Sequence, residues 1–147
     1  FFFCYTRTMK LLIKKLHVDA KLPTRAHHDD AGIDIYAHGT HIVEPNQTLA
    51  VPTGVSMELE KGYASLIWDK SGIALKGIKT VGGVIDAGYR GEYKIMVHNL
   101  SNTPHTFENG DKVAQILIQK VEFPELMEVD ELNDSTRGVG GFGSTGK

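Results

Sequence analysis

Residues 92–99 read Glu-Tyr-Lys-Ile-Met-Val-His-Asn, a run in which apolar and mostly polar side chains alternate. Tyr93, Ile95 and Val97 therefore fall on one face of an extended chain, because successive side chains of a β-strand point to opposite faces. The period of this pattern is two and not the 3.6 residues of an α-helix. We predict that the segment is a strand with one buried face.

Strand-like segments rich in β-branched and aromatic residues recur along the chain, separated by glycine or proline. They cover residues 11–18, 33–37, 48–55, 63–68 and 113–121. The best helical candidate is the short segment 70–75, which contains Gly72. Many short strands joined by turns predict an all-β domain, either a sandwich or a barrel.

Length, charge and cysteine content narrow the class of protein. The 147 residues are enough for one compact domain with its own core. Sixteen basic against eighteen acidic side chains create no positive field, so we expect neither a nucleic acid nor a membrane as partner. No apolar run is long enough for a membrane helix, and the single cysteine, Cys4, excludes a disulfide within the chain. We expect a cytoplasmic protein in which any phosphate binding comes from a local site.

Residues suited to chemistry concentrate in five clusters. Each cluster combines charged, amide or hydroxyl side chains with glycines or with part of an apolar strand. The clusters cover residues 31–37, 69–75, 83–92, 110–116 and 137–146. Taken singly, each has an ordinary structural explanation, such as a hairpin turn, a helix cap or a flexible end. Their order along the chain is more informative than any one of them.

Two of the clusters suit an anion. Lys70 and Ser71 combine a positive charge, a hydroxyl and the N–H groups of a turn, as phosphate sites do. In the last cluster, Arg137 precedes several glycines and two hydroxyl side chains, and glycine allows close approach of the backbone. Phe142 stands among those glycines, where a core aromatic would be poorly supported. Stacking on a planar base explains it better.

Two carboxylates stand in otherwise apolar strand ends. Asp34 occurs in the run Ile-Asp-Ile-Tyr, and Asp86 occurs in the run Val-Ile-Asp-Ala. Such a carboxylate either coordinates Mg²⁺, usually through water molecules, or accepts a proton from water. Both residues are therefore candidates for a hydrolytic site.

In this order, the five clusters resemble the five motifs of the trimeric deoxyuridine triphosphatase family. The resemblance implies a distorted jelly-roll or β-barrel subunit formed by residues 9–136. It also implies a homotrimer with active sites at subunit junctions, and a flexible glycine-rich arm, residues 137–147, that closes a neighbouring site. The expected reaction is Mg²⁺-dependent hydrolysis of dUTP to dUMP and pyrophosphate, which keeps uracil out of DNA and supplies dUMP for dTMP synthesis. Residues 1–8 are expected to be an extension or a cloning remnant without a role.

The resemblance assigns the third motif to the base, the sugar and the chemistry. Asp86 would activate the water molecule that attacks the α-phosphorus. Tyr89 would pack against the sugar and leave no space for a 2′-hydroxyl group. Backbone groups of Gly83, Val84 and Ile85 would read the edge of uracil, leaving no space for the 5-methyl group of thymine.

The other motifs would hold the triphosphate and the metal. Lys70 would add positive charge, while Ser71 and Gly72 would hold the inner phosphates. Gln115 would contact the phosphate chain and help to exclude stray water, and Asp34 would orient Mg²⁺ through water. The arm would grip the γ-phosphate and stack on uracil with Arg137, Phe142, Gly143, Ser144 and Thr145.

The chain departs from the family pattern at two positions. Lys70 and Lys112 stand where the family commonly has arginine. Lysine keeps the charge but lacks the planar fork that binds an oxyanion through two parallel hydrogen bonds. We therefore expect a weaker phosphate grip at the second motif and an altered structural contact at the fourth, with activity retained.

Two alternatives share the fold. A trimeric protein that binds dUTP as a signal, without turnover, would keep most of the same residues. A dCTP deaminase would need a glutamate where this chain has Met96 and an arginine where it has Leu75. Since methionine cannot carry a proton, deamination is not expected.

Overall fold

The computed structural model describes residues 9–142 of the chain. This part forms eleven strands and one short helix. The elements are β1 (Leu12–Lys15), β2 (Ile33–Tyr36), β3 (His41–Val43), β4 (Thr48–Val51), β5 (Val55–Glu58), β6 (Tyr63–Trp68), α1 (Ser71–Ala74), β7 (Ile78–Thr80), β8 (Val84–Asp86), β9 (Ile95–Asn99), β10 (His105–Phe107) and β11 (Lys112–Lys120). Within residues 9–142, no helix is long and apolar enough to cross a bilayer. The predicted all-β fold is confirmed.

The strands form four small antiparallel sheets, in the orders β2-β11-β6-β8, β4-β9-β7, β1-β5 and β3-β10. Strands that are distant in sequence lie side by side, as in the pairs β2-β11 and β4-β9. The long strand β11 crosses the largest sheet between β2 and β6. That sheet carries a functional candidate on each of three strands.

The alternating run that predicted a half-buried strand forms part of the core. Tyr93, Ile95 and Val97 are fully buried, and each buried side chain of this size contributes roughly 1.5–3 kcal/mol through the hydrophobic effect. The hydroxyl of Tyr93 is hydrogen-bonded to Oγ of Ser65 at 3.0 Å. The backbone carbonyl of Tyr93 accepts a hydrogen bond from the Thr53 hydroxyl at 2.5 Å. The buried aromatic is therefore also satisfied in its polar groups.

Three predicted strands are too long: of residues 11–18 only Leu12–Lys15 is a strand, of residues 92–99 only Ile95–Asn99, and residues 48–55 divide in two. Residues 48–55 form not one strand but the whole of β4, a break at residues 52–54, and the first residue of β5. Pro52 has no N–H to donate to a strand ladder, and Gly54 has a positive φ of 69°, a left-handed conformation that interrupts a strand. The strands β3, β7, β8 and β10 have three residues each, too few for a period to be visible.

Candidate functional site

The four-stranded sheet brings three distant motifs together at one end. The register pairs Gln115 of β11 with Asp34 of β2 on one side and with Trp68 of β6 on the other. Lys70 follows β6 immediately before α1. Lys112 begins β11. We call Asp34, Lys70, Lys112 and Gln115 the sheet-end cluster.

Asp34 is the ionic centre of the sheet-end cluster. Its Oδ1 lies 2.5 Å from Nζ of Lys70, and its Oδ2 lies 2.6 Å from Nζ of Lys112. The residue is only 5% exposed. Burial acts to raise the pKa of the Asp34 carboxyl, but hydrogen bonds from Lys112 and Lys70 and their positive charges outweigh it and hold the pKa below 3.8. Both lysines are thus tied to one carboxylate, a partnership that the sequence analysis did not predict.

The stability of the fold should therefore respond to acid through Asp34. A carboxyl whose pKa is lower in the folded than in the unfolded chain contributes its full stabilisation above the unfolded value, and loses it as pH falls through the folded value. The free energy of unfolding should thus decline below about pH 4. Asp34→Asn should be less stable at neutral pH and less sensitive to acid. Urea unfolding between pH 3 and 7, at one fixed protein concentration, measures both; parallel pH profiles for the two proteins would contradict the prediction.

Gln115 is held by contacts on two sides. Its Nε2 donates a hydrogen bond to the carbonyl of Asp69 at 2.8 Å. On the other side its Oε1 lies so close to Gly32 that a Cβ at that position would overlap it. Ser71 and Gly72 open α1 nearby and are exposed, and the first N–H groups of a helix have no acceptor within it. These residues can present N–H groups to an oxyanion.

A second group of candidates lines a pocket of about 400 Å³. We call it the hairpin pocket, because β8, the tight turn that follows it and the chain beyond that turn form most of its wall. Asp86 is exposed there, and its carboxylate has no ion pair with any residue in the described part of the chain. The remaining lining residues are Ala50, Val84, Ile85, Tyr89, Glu92, Lys94 and Met96. An accessible carboxylate in a partly apolar pocket can act as a base.

Four members of the hairpin pocket were not predicted as site residues: Ala50 of β4, and Glu92, Lys94 and Met96. Glu92, Lys94 and Met96 alternate with the buried Tyr93 and Ile95, so they lie on the opposite, outer face. Oε1 of Glu92 accepts a hydrogen bond from the N–H of Gly54 at 2.9 Å. The alternation with a period of two was the signal that could have identified Glu92, Lys94 and Met96, since side chains on the face opposite the core remain free to line a pocket.

Tyr89 is fixed across the turn that follows Asp86. Its hydroxyl donates a hydrogen bond to the carbonyl of Glu92 at 3.1 Å, and its N–H donates to the carbonyl of Asp86 at 3.1 Å. The ring covers Gly91 so closely that a Cβ there would overlap the ring and its hydroxyl. The glycine thus provides the space in which the tyrosine lies.

The hairpin pocket and the sheet-end cluster lie apart within one chain. Asp86 is paired with Ala64, near the start of β6, whereas Gln115 is paired with Trp68, at its end. Four residues of strand span about 13 Å, and the two strands that flank β6 are about 10 Å apart. The structure therefore does not bring Asp86 together with Asp34 and Gln115 in a single chain.

The last motif is only partly described. Nε of Arg137 donates a hydrogen bond to the carbonyl of Gly140 at 2.9 Å, and Phe142 is fully exposed. In the described part of the chain, Arg137 has no hydrogen bond or ion pair with the sheet-end cluster. The predicted residues Gly143, Ser144 and Thr145 lie outside the described residues.

The described residues offer no ready cage for a metal ion. Among residues 9–142, no group of three or more His, Cys, Asp or Glu side chains is arranged to hold one. Both carboxylate oxygens of Asp34 are taken by lysines. Direct ligation of a cation by Asp34 therefore does not fit the site, whereas a cation carried by a polyphosphate ligand does.

Comparison with known proteins adds a family to this geometry. The family model described as dUTPase matches residues 18–146. The deoxyuridine 5′-triphosphate nucleotidohydrolase of Mycolicibacterium gilvum is 46% identical over 145 residues, covering 92% of this chain and 94% of that protein. The enzyme of the same name from Thermobifida fusca is 43% identical over 143 residues, covering 95% and 80%.

Solved structures agree in fold. A mutant dUTPase of Staphylococcus bacteriophage 80alpha, bound to dUpNHpp, superposes with a TM-score of 0.88 at 29% identity, over 94% of this chain and 99% of that one. A mutant dUTPase from phage phi11 of S. aureus has a TM-score of 0.79 at 28% identity, over 85% and 99%. That protein is described as coordinating a structural Mg(II) ion. These likenesses confirm the predicted jelly-roll-like β fold.

Proposed function

Since this chain belongs to the dUTPase family, we propose that it hydrolyses dUTP to dUMP and pyrophosphate. The observation that carries the proposal is the exposed carboxylate of Asp86 in the hairpin pocket, with Tyr89 held beside it. The reaction keeps uracil out of DNA and supplies dUMP for dTMP synthesis. We place it in the cytoplasm with the nucleotide pool, without a nucleic acid or membrane partner.

Asp86 acts as the general base. Its ionised carboxylate takes a proton from a water molecule while the oxygen of that water attacks the α-phosphorus. The bond between the α-phosphorus and the oxygen that bridges it to the β-phosphorus breaks. The departing pyrophosphate carries the electron pair of that bond. Positive charge from Lys70 and Arg137 stabilises the charge that develops. Water is the nucleophile throughout, so no covalent intermediate forms.

The edge of β8 supports recognition of uracil. This strand lies at the outside of the sheet β2-β11-β6-β8, so one row of its N–H and C=O groups points away from β6. The carbonyl of Gly83 accepts a hydrogen bond from the N–H of Ile67 in β6 at 2.8 Å. The remaining backbone groups of Gly83, Val84 and Ile85 can read the edge of a base as a further strand would. Cytosine is rejected because its donor and acceptor are exchanged at position 4, and thymine because its methyl group finds no space.

Assembly supplies what one chain lacks. Because the hairpin pocket lies apart from the sheet-end cluster, a complete site requires Asp86 of one chain together with Asp34, which orients the metal, and Gln115, which contacts the phosphates, of another. We infer a homotrimer in which residues 9–136 form the subunit and residues 137–147 close a neighbour's site. In that arrangement the inner phosphates are held by Ser71 and Gly72, and the arm acts through Arg137, Phe142, Gly143, Ser144 and Thr145.

Magnesium fits this site as a partner of the substrate. Mg²⁺ in proteins usually keeps several water molecules and is bound by few carboxylates plus the phosphates of a nucleotide. When bound it would neutralise charge on the phosphate oxygens. We propose that Asp34 orients it through water. The lysines of the sheet-end cluster keep Asp34 ionised and in place for this contact.

Pyrophosphate release with Mg²⁺ tests the proposal, with dUTP, dCTP, dTTP and UTP compared side by side. Rapid release from dUTP alone supports the reaction, the base selectivity and the sugar selectivity together. Saturable binding of dUTP without release would overturn it in favour of a trimeric dUTP-sensing protein. Pyrophosphate release from all four nucleotides would show that the protein is a hydrolase but would contradict the selectivity assigned to β8 and Tyr89.

Selectivity against UTP should depend on Gly91 as well as on Tyr89. Gly91→Ala adds a Cβ that overlaps the tyrosine ring, so the ring must leave its present position. We expect the ratio of kcat/KM for dUTP over UTP to fall about tenfold or more, because a displaced wall no longer excludes the 2′-hydroxyl. Tyr89→Ala should lower the same ratio. Gly88→Ala is the matched control, since a Cβ at Gly88 meets no atom within 4 Å; an unchanged ratio in Gly91→Ala would refute the role.

A further inference from the structure

Asp69 links the sheet-end cluster to a second sheet. Its Oδ1 accepts hydrogen bonds from the N–H and the hydroxyl of Thr80, both at 2.7 Å. Its Oδ2 is paired with Nζ of Lys79. Both partners belong to β7, which lies in the sheet β4-β9-β7. The turn between β6 and α1 is therefore tied by one side chain to a different sheet.

The backbone of the same residue reaches Gln115. The carbonyl of Asp69 accepts the hydrogen bond from Nε2 of Gln115 at 2.8 Å. A carbonyl oxygen accepts only, so it selects the nitrogen and not the oxygen of the side-chain amide. Gly32 faces Oε1 and leaves no space for a Cβ. The amide of Gln115 is therefore held in one orientation between two elements.

This orientation matters for an anionic ligand. With one N–H of Nε2 donated to Asp69, the second N–H of the same nitrogen remains available to an oxyanion. If the carbonyl moved, the amide could turn and present Oε1, an acceptor, to the phosphate oxygens. A shift of about 1 Å in a positioning group is enough to lower a rate strongly.

The charge state of Asp69 keeps this link in place. Burial acts to raise the pKa of its carboxyl, but hydrogen bonds from Lys79 and Thr80 and the lysine charge outweigh it and hold the pKa below 3.8. The carboxylate therefore remains ionised, and remains an acceptor for both β7 residues, throughout the neutral range.

We propose that Asp69 is a positioning residue for the triphosphate, which acts by anchoring its own carbonyl to β7 and so orienting Gln115. Asp69 does not touch the substrate in this role. The inference rests on the proposed function, since it requires that Gln115 contacts the phosphate chain. It extends the site from the sheet-end cluster to Lys79 and Thr80.

A double-mutant cycle on the assembled protein with all residues 1–147 present tests the coupling. The variants are Asp69→Ala, Gln115→Ala and the two combined, and kcat and KM for dUTP are measured for each. We expect Asp69→Ala to lower kcat/KM about tenfold when Gln115 is intact, and less than about twofold when Gln115 is already alanine, because the effects of coupled residues are not additive. Equal factors in both backgrounds would overturn the proposal, since a purely structural role does not depend on Gln115.

Two further variants complete the design. Asp19→Ala is the matched control, because it removes a carboxylate that is hydrogen-bonded to Nε2 of His38 (3.1 Å) and belongs to neither site, and it should leave kcat/KM unchanged. Asp69→Asn keeps an oxygen that accepts from Thr80 but loses the charge opposite Lys79, so it should retain more activity than alanine. If Asp69→Ala does not fold, Asp69→Asn enters the same cycle, and additivity there overturns the proposal.

Failure of the inference is distinct from failure of the proposed function. If the unmodified protein releases no pyrophosphate, the proposed hydrolysis fails. If it does release pyrophosphate and Gln115→Ala is unaffected, hydrolysis stands and positioning through Gln115 is overturned. Loss of rate in Gln115→Ala with normal rates in Asp69→Ala overturns the role of Asp69 alone.

Discussion

Asp86→Asn is expected to bind dUTP with near-normal affinity and to turn it over about 10³-fold more slowly. The amide keeps the size and shape of the carboxylate, so the hairpin pocket should keep its form. It cannot accept the proton of the attacking water, and a general base contributes roughly 10²- to 10⁴-fold. Pyrophosphate release under saturating dUTP, together with calorimetric binding of dUpNHpp, separates the two quantities.

A matched control keeps this result specific. Asp29→Asn makes the same chemical change at an exposed loop position outside both sites, and its rate should equal that of the unmodified protein. A near-normal rate in Asp86→Asn would remove the assignment of the base. Loss of dUpNHpp binding in that variant would instead give Asp86 a role in holding the substrate.

Removal of the residues after Thr136 should leave an assembled protein that has lost activity by about 10²-fold or more. Residues 112–120 and the sheets they join are untouched by this cut, so the subunit keeps its core. Arg137, Phe142 and the remaining arm residues are lost, and with them the positive charge and the aromatic ring that the proposed site requires. Size-exclusion chromatography with light scattering measures assembly, and pyrophosphate release measures the rate.

Single substitutions in the arm serve as the comparison. Phe142→Leu keeps an apolar side chain but removes the ring, so it should weaken binding through lost stacking, worth about 1–3 kcal/mol per base. Arg137→Lys keeps the charge and should lose less activity than the truncation. If the truncated protein released pyrophosphate as fast as the intact one, residues 137–147 would have no role in the reaction.

The alternation of residue types made the fold class and one core face predictable. Tyr93, Ile95 and Val97 could be placed inside because burial of apolar groups and the two-residue repeat of a strand act locally. The short strand β8 could not be predicted, since three residues hold no period. The break between β4 and β5 was missed although its signals, Pro52 and Gly54, are present in the sequence.

The sequence by itself determined that this is an all-β protein and which residue types are available for chemistry, because side-chain identity and local periodicity are properties of the chain. Only the tertiary structure decided which of them meet. Asp34 joins Lys70 and Lys112, and Asp69 reaches β7, through strand pairings between segments far apart in sequence. Ion pairs and hydrogen bonds act over a few ångströms of space and not along the chain, so their partners follow from the register of the sheets.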